Sequence, residues 1–218
     1  LNFNHMKQLI ITILLMSIFI FSCKEKKPET VIKKDSTENM TIKKDSSFII
    51  KKEMKTKTGK VFTVFENKPS YSISNYSVSG SGFENSKDTL QFQNKNPMVN
   101  ALMADLDKNG YEEMYILTKS TGSGSFMDLL GVASDSDKTF SEINIPDISE
   151  KDIEKNEKFS GYMGHDSVYI SDNKLIREFP VYKNSSTNIP AERRKIIYML
   201  KPEGRLYKLV ITGAENIK

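Results

Sequence analysis

The sequence predicts an all-β domain, an antiparallel β-sandwich with one minor helix. Three observations lead there. Apolar residues recur at every second position in several short segments, the pattern of strands with one buried face. Turn-forming clusters separate these segments at the short intervals usual for sandwiches and barrels. Only one stretch has helical character.

The alternating positions, in chain order, are Phe62/Val64, Leu90/Phe92, Met114/Ile116, Val168/Ile170, Ile196/Tyr198/Leu200 and Tyr207/Leu209/Ile211. Between them lie Glu66-Asn67-Lys68-Pro69, Asn94-Lys95-Asn96-Pro97, Asp107-Lys108-Asn109-Gly110, Ser171-Asp172-Asn173 and Pro202-Glu203-Gly204. Proline presets one backbone angle and withholds a donor, while Asn, Asp and Gly tolerate left-handed conformations, so each cluster reads as a turn. The helical stretch is residues 148–159. Ser149 is placed to cap it and Asp152 occupies the capping-box position. Its apolar stripe of Ile148, Ile153 and Phe159 is sparse.

The chain divides into three parts. Residues 1–22 read as a lipoprotein signal peptide, with Met6-Lys7 opening a short basic region and an apolar run over residues 9–21. That run is shorter than the ~20 residues a spanning helix needs. Ile20-Phe21-Ser22-Cys23 resembles a bacterial lipobox, which makes Cys23 the expected lipidation site and implies an exported chain anchored to a cell-envelope membrane, facing the periplasm or the surface. Cys23 is the only cysteine, so no intramolecular disulfide forms. Residues 23–58 read as the lipidated cysteine and a disordered tether, in which eleven lysines stand against six acids. Such a composition buries too little surface to offset chain entropy. Residues 59–218 are left for the folded domain, with 20 basic and 22 acidic side chains. The positive excess therefore belongs to the tether. With no basic stripe and no tryptophan, the domain lacks the footprint of a nucleic-acid binder.

Two segments carry candidate chemistry. The first is Ser120, Thr121, Gly122, Ser123, Gly124, Ser125 and Phe126, a thin hydroxyl-rich loop closed by a ring. Its glycines remove bulk and permit positive φ, its hydroxyls rotate to suit an acceptor, and Phe126 offers apolar area. On composition alone the segment fits a polar hairpin connection better than a finger entering another protein's cleft. The second is Asp105, Asp107, Asn109 and Glu113, which imitates the opening of a calcium loop. Hard cations take six to eight oxygens, and this spacing supplies side chains and a carbonyl. A twelve-residue loop would end on a bidentate acid, where this chain has Ile116. The same Asn109-Gly110 pair is a strong signal for a tight hairpin turn. No cofactor other than calcium is suggested.

His165 beside Asp166 invites comparison with hydrolases, but no G-x-S-x-G elbow accompanies it, and the single histidine of residues 59–218, with no cysteine there, makes no zinc set. The domain is not expected to be an enzyme. Arg193-Arg194-Lys195 reads as a solvated strand entrance. Tyr71, Tyr76, Tyr162 and Tyr182 are candidate groove-contacting rings.

Residues 104–134, ADLDKNGYEEMYILTKSTGSGSFMDLLGVAS, resemble the periplasmic inhibitors of invertebrate-type (I-type) lysozyme. In that family an acidic Asn-Gly turn precedes an apolar strand, and a loop of pattern S-G-S-x-x-Y follows. The matching residues are Thr121, Gly122, Ser123, Gly124, Ser125 and Phe126. Residues 59–83 also resemble the family's opening strands, and the likeness continues more loosely through residues 161–182. The resemblance implies a β-sandwich that inserts this loop into the lysozyme groove, Ser123 donating to a catalytic carboxylate, and so protects peptidoglycan. The chain departs from the pattern at Thr121, where the family has serine, and at Phe126, where it has tyrosine. Loss of a phenolic hydrogen bond costs about 0.5–1.5 kcal/mol between neutral groups and about 1.5–3 kcal/mol to a charge. Two other readings stand beside this one: a membrane-tethered calcium-dependent binding module, and a structural lipoprotein without inhibitory activity.

Overall fold

A computed structural model describes residues 48–85, 88–182, 190 and 192–217. The signal peptide, Cys23 and the tether up to residue 47 lie outside the described residues. Among those described there are twelve strands, one 3-10 turn and no α-helix, and no helix long and apolar enough to cross a membrane.

The first four strands form an antiparallel meander: β1 (Phe48–Lys55), β2 (Val61–Lys68), β3 (Ser74–Ser81) and β4 (Thr89–Lys95). The other eight make one sheet. Its strands are β5 (Met98–Ala104), β6 (Glu113–Lys119), β7 (Met127–Asp135), β8 (Thr139–Asn144), β9 (Ser167–Ser171), β10 (Lys174–Val181), β11 (Glu192–Glu203) and β12 (Leu206–Ile217). They run in the order β5-β6-β7-β8-β12-β11-β10-β9. The edges β5 and β9 come into contact, so this sheet curls into a nearly closed barrel.

Two cores result. Inside the curled sheet, Tyr115, Leu117, Leu129, Phe179, Leu175, Ile196 and Leu209 pack together. Between its outer face and the four-stranded sheet lie Phe62, Val64, Tyr76 and Val78 against Met114, Ile116, Leu130 and Val132. Phe62, Phe83 and Phe140 form an aromatic cluster there, with ring centroids 5.1–5.7 Å apart. Gly80 is required beside them, since a Cβ at that position would lie 2.5 Å from the Phe140 ring. The buried Glu66 carboxylate joins the two sheets. Its Oε1 accepts from Ser74 Oγ (2.7 Å), the Tyr76 hydroxyl (3.2 Å) and the Met98 main-chain N–H (2.9 Å).

Four expectations are corrected. The expected tether ends earlier than residue 58, because β1 pairs with β2 from Phe48↔Lys68 to Lys55↔Val61. An edge strand needs to bury little, and Met54 packs on the core while Lys51 and Lys55 face water, a composition that also blunts the edge against further pairing. The helix over residues 148–159 shrinks to one 3-10 turn at Lys151–Ile153. The Asp152 carboxylate does accept the Ser149 N–H at 2.8 Å, but the apolar stripe is too sparse to hold more turns; Phe159 is buried while Ile153 stays exposed. The pairing is not wholly antiparallel, since β8 and β12 run parallel through Tyr207↔Ile143 and Lys208↔Asn144. Asn109-Gly110 is not a two-residue hairpin turn. The ladder closes at Ala104↔Glu113, and an eight-residue loop intervenes in which Lys108 and Gly110 take positive φ. By contrast Asp172-Asn173, both left-handed, do form a two-residue turn between Ser171 and Lys174, as that turn type requires.

A chain beginning at residue 59 is expected to melt below one beginning at residue 40, by at least about 2–4 °C, the shift that 1 kcal/mol makes in a domain of this size. Equal melting temperatures would remove β1 from the folded unit.

Candidate functional site

Residues 120–126 connect β6 to β7 and are closed at their base by a reciprocal pair. The Ser120 N–H donates to the Phe126 carbonyl (2.8 Å), and the Phe126 N–H donates to Ser120 Oγ (2.8 Å). Within the loop the Ser125 N–H reaches the Gly122 carbonyl at 3.0 Å. The backbone reverses at Ser125, which is left-handed (φ 45°); Gly122 and Gly124 are not, so the expectation that the glycines supply positive φ is corrected. Close approach is the role of Gly124 alone. A Cβ on Gly124 would meet the Phe126 ring at 2.2 Å, whereas one on Gly122 would meet nothing. Thr121, Gly122 and Ser123 are exposed at the tip.

The second half of the loop is braced by residues 161–166. The His165 N–H donates to the Gly124 carbonyl at 2.7 Å. Gly164 (φ +82°) lies so close that a Cβ there would fall 2.0 Å from that carbonyl oxygen. Phe126 keeps 43% of its surface exposed, while its ring meets Tyr162 edge-on at 5.6 Å. Tyr162 continues to Phe179 at 4.9 Å, so an aromatic column runs from the loop into the barrel core.

Beneath the loop the Asp166 carboxylate accepts from the Met127 N–H (3.0 Å) and the Tyr162 hydroxyl (3.1 Å), and pairs with Arg177 Nη1 at 3.3 Å. Both members of this pair are buried. Burial pushes the Tyr162 hydroxyl well above the usual tyrosine range, so it stays a donor to Asp166. Two hollows border the loop. One is a cavity of about 690 Å³ bordered by Ser123, Phe126, Ile145, Tyr162 and Arg177. The second is a hollow of about 610 Å³ bordered by Tyr71, Val99, Thr121 and Ser125.

The other sequence-predicted residues separate. Of the four tyrosines only Tyr162 and Tyr71 flank the loop; Tyr76 is buried between the sheets and Tyr182 follows β10. His165 holds the loop through its main chain, with its side chain exposed, and Asp166 is occupied by structural bonds. Arg193-Arg194-Lys195 is not simply a solvated entrance. Arg193 Nε bonds Glu178 at 2.6 Å, and Arg194 Nη1 donates to the carbonyls of Glu157, Lys158 and Ser160. Sequence reasoning missed Gly164, whose partner Gly124 lies 40 residues away in the chain, and Arg177, whose pairing with Asp166 spans the turn between β9 and β10.

Asp105, Asp107 and Glu113 are brought together, one carboxylate oxygen of each within 4.8 Å of the others. Asn109 sits in the same loop, its side-chain amide donating to Asp107 Oδ2 at 2.9 Å. Glu113 is wholly buried. Burial and then the neighbouring charges of Asp107 and Asp105 push its carboxyl up to about 8, against the Leu106 N–H, which lowers it.

Gly164→Ala is expected to destabilise the chain by more than about 1 kcal/mol, since an L side chain at positive φ is strained, and to abolish hydrogen-exchange protection at the His165 amide. Gly122→Ala should leave that protection intact; denaturant melts and exchange of both variants check this. Comparison of the chain with protein-family models, with curated proteins and with solved structures finds no match.

Proposed function

We propose that the chain is a lipid-anchored inhibitor of invertebrate-type lysozyme, held by acylated Cys23 in a bacterial cell envelope. In this reading the two sheets are a β-sandwich body that presents residues 121–126. The stance of the loop carries it: Thr121, Gly122 and Ser123 are exposed while Gly124 and Phe126 are tied to His165 and Tyr162.

The physics of such a plug is straightforward. A glycosidase groove holds two carboxyl groups on either side of the scissile bond. Whatever displaces water there must not leave a desolvated carboxylate without a partner. The Ser123 hydroxyl supplies a donor at the tip. Gly122 leaves room for the main chain to approach the groove wall, and Phe126 offers half-exposed apolar surface at the base. Bracing by His165 and Tyr162 means little loop entropy is lost on docking, which is where preorganisation adds affinity. The loop offers no activated nucleophile, and the reading assigns it no catalysis.

In a turbidity assay, the full chain should slow lysis by an invertebrate-type lysozyme. Ser123→Ala should weaken inhibition about ten- to a hundredfold, the worth of a hydrogen bond to a charged group. Gly122→Trp should abolish it without unfolding the chain, because that position meets open space. Lysis at the same rate with and without the folded chain would sink the proposal. Phe126→Tyr restores the family's phenolic hydroxyl and should tighten inhibition by up to about tenfold; a weaker inhibitor would mean that the ring faces an apolar wall.

A further inference from the structure

The geometry points to a calcium site in the β5–β6 loop, with Asp105, Asp107, Asn109 and Glu113 as its side-chain ligands. This inference is independent of the lysozyme reading and rests on the arrangement at the head of β6.

The loop's main chain sets the donors. The Asn109 N–H donates to Asp105 Oδ1 (2.9 Å) and Asp107 Oδ1 (3.1 Å), the Gly110 N–H to Asp105 Oδ2 (3.0 Å), and the Tyr111 N–H to Asn109 Oδ1 (2.7 Å). The chain thus wraps around the first, third and fifth side chains of the motif. An ion with oxygens at about 2.3–2.6 Å holds ligand atoms no more than roughly 5 Å apart. The 4.8 Å limit that encloses one oxygen each from Asp105, Asp107 and Glu113 meets that requirement.

Two further facts separate this cluster from ordinary surface acids. None of the three carboxylates has a basic partner within salt-bridge distance among the described residues. The Glu113 side chain is fully buried, yet its Oε1 has no hydrogen-bond partner. Its Oε2 is satisfied by the Leu106 N–H at 2.8 Å and approached by the Tyr115 hydroxyl at 3.4 Å. A buried carboxylate with an orphan oxygen, clustered with two more carboxylates, is an unfavourable arrangement in water and protein alone. A divalent cation resolves both deficits at once.

The ninth position replaces the twelfth. A helix-flanked loop closes with a bidentate acid at position twelve, which here is Ile116, buried between the sheets. In this chain the loop returns directly into a strand, so the closing acid is Glu113, the first residue of β6. With the carbonyl of the seventh position, Tyr111, and water, the oxygen count reaches what calcium takes. Magnesium demands a tighter octahedron at 2.0–2.1 Å and keeps its water, so a broad cluster closed by a buried acid favours the larger ion. Binding would tie the entry of β6 to the end of β5.

The test is calorimetric titration and thermal melting of the full chain, stripped with chelator, against calcium chloride and magnesium chloride. One calcium per chain is expected, with a rise in Tm of about 5–10 °C at a hundredfold excess over Kd and a smaller response to magnesium. Glu113→Gln keeps the size of the side chain and an acceptor for the Leu106 N–H. It should bind calcium at least about tenfold more weakly, because affinity follows ligand charge, while staying folded by circular dichroism. No calcium heat and no Tm rise in the folded wild-type chain would overturn the site. So would equal calcium affinity in Glu113→Gln, which would put the ion on exposed carboxylates elsewhere.

Discussion

The fold depends on β6, a strand buried on both faces. Met114 and Ile116 project into the core between the sheets, while Tyr115 and Leu117 project into the barrel interior. A strand with two apolar faces gains burial from both sides but loses the usual protection against register slip, since a shift of one residue exchanges one apolar set for another. The polar end restores it. Glu113 is held by the Leu106 N–H, and a slip would strand that carboxylate in an apolar layer. Both candidate sites are attached to this strand, the acidic loop at its start and the hydroxyl loop at its end. A rigid, doubly buried element is the kind of support that keeps functional loops in place.

Buried polar groups do the remaining positioning. Glu66 gathers three donors from β3 and the start of β5, which locks the small sheet onto the large one where the chain passes between them. Asp166 and Arg177 play the equivalent part under the loop: their pair lies at the root of β7 and beside the aromatic column. Removing one partner of a buried ion pair typically costs 3–5 kcal/mol because the other charge is left uncompensated. Such groups specify arrangement more than they add stability, and here they specify the stance of residues 120–126.

Several elements were legible in the residues themselves. The alternation at Phe62/Val64 and Ile196/Tyr198/Leu200 marks β2 and β11, because a strand with one buried face shows its period locally, whereas Met114/Ile116 belong to a continuous apolar run, since β6 is buried on both faces. β1 was hidden, since its lysines read as solvated linker and only pairing with β2 makes them an edge. The 148–159 segment carried Ser149 and Asp152 without an apolar stripe; the short turn that forms has Glu150 at its N-cap and no side-chain cap, so Ser149 does not cap it, and capping residues alone do not propagate a helix. Glycine content pointed to a thin loop, but which residue turns left-handed was decided by packing: Gly124 is pressed between Phe126 and Gly164, and Ser125 makes the turn instead.

The sequence by itself determined an all-β chain, the hydroxyl-rich and acidic segments, and their place at either end of an apolar strand. These are properties of neighbouring residues. Only the tertiary structure decided that β8 runs parallel to β12, that Gly164 and Tyr162 brace the loop, and that Glu113 turns back towards Asp105 and Asp107. Each of those depends on a contact between distant segments, or on how far a loop extends before its strands pair, and neither is encoded in the period or composition of a short stretch.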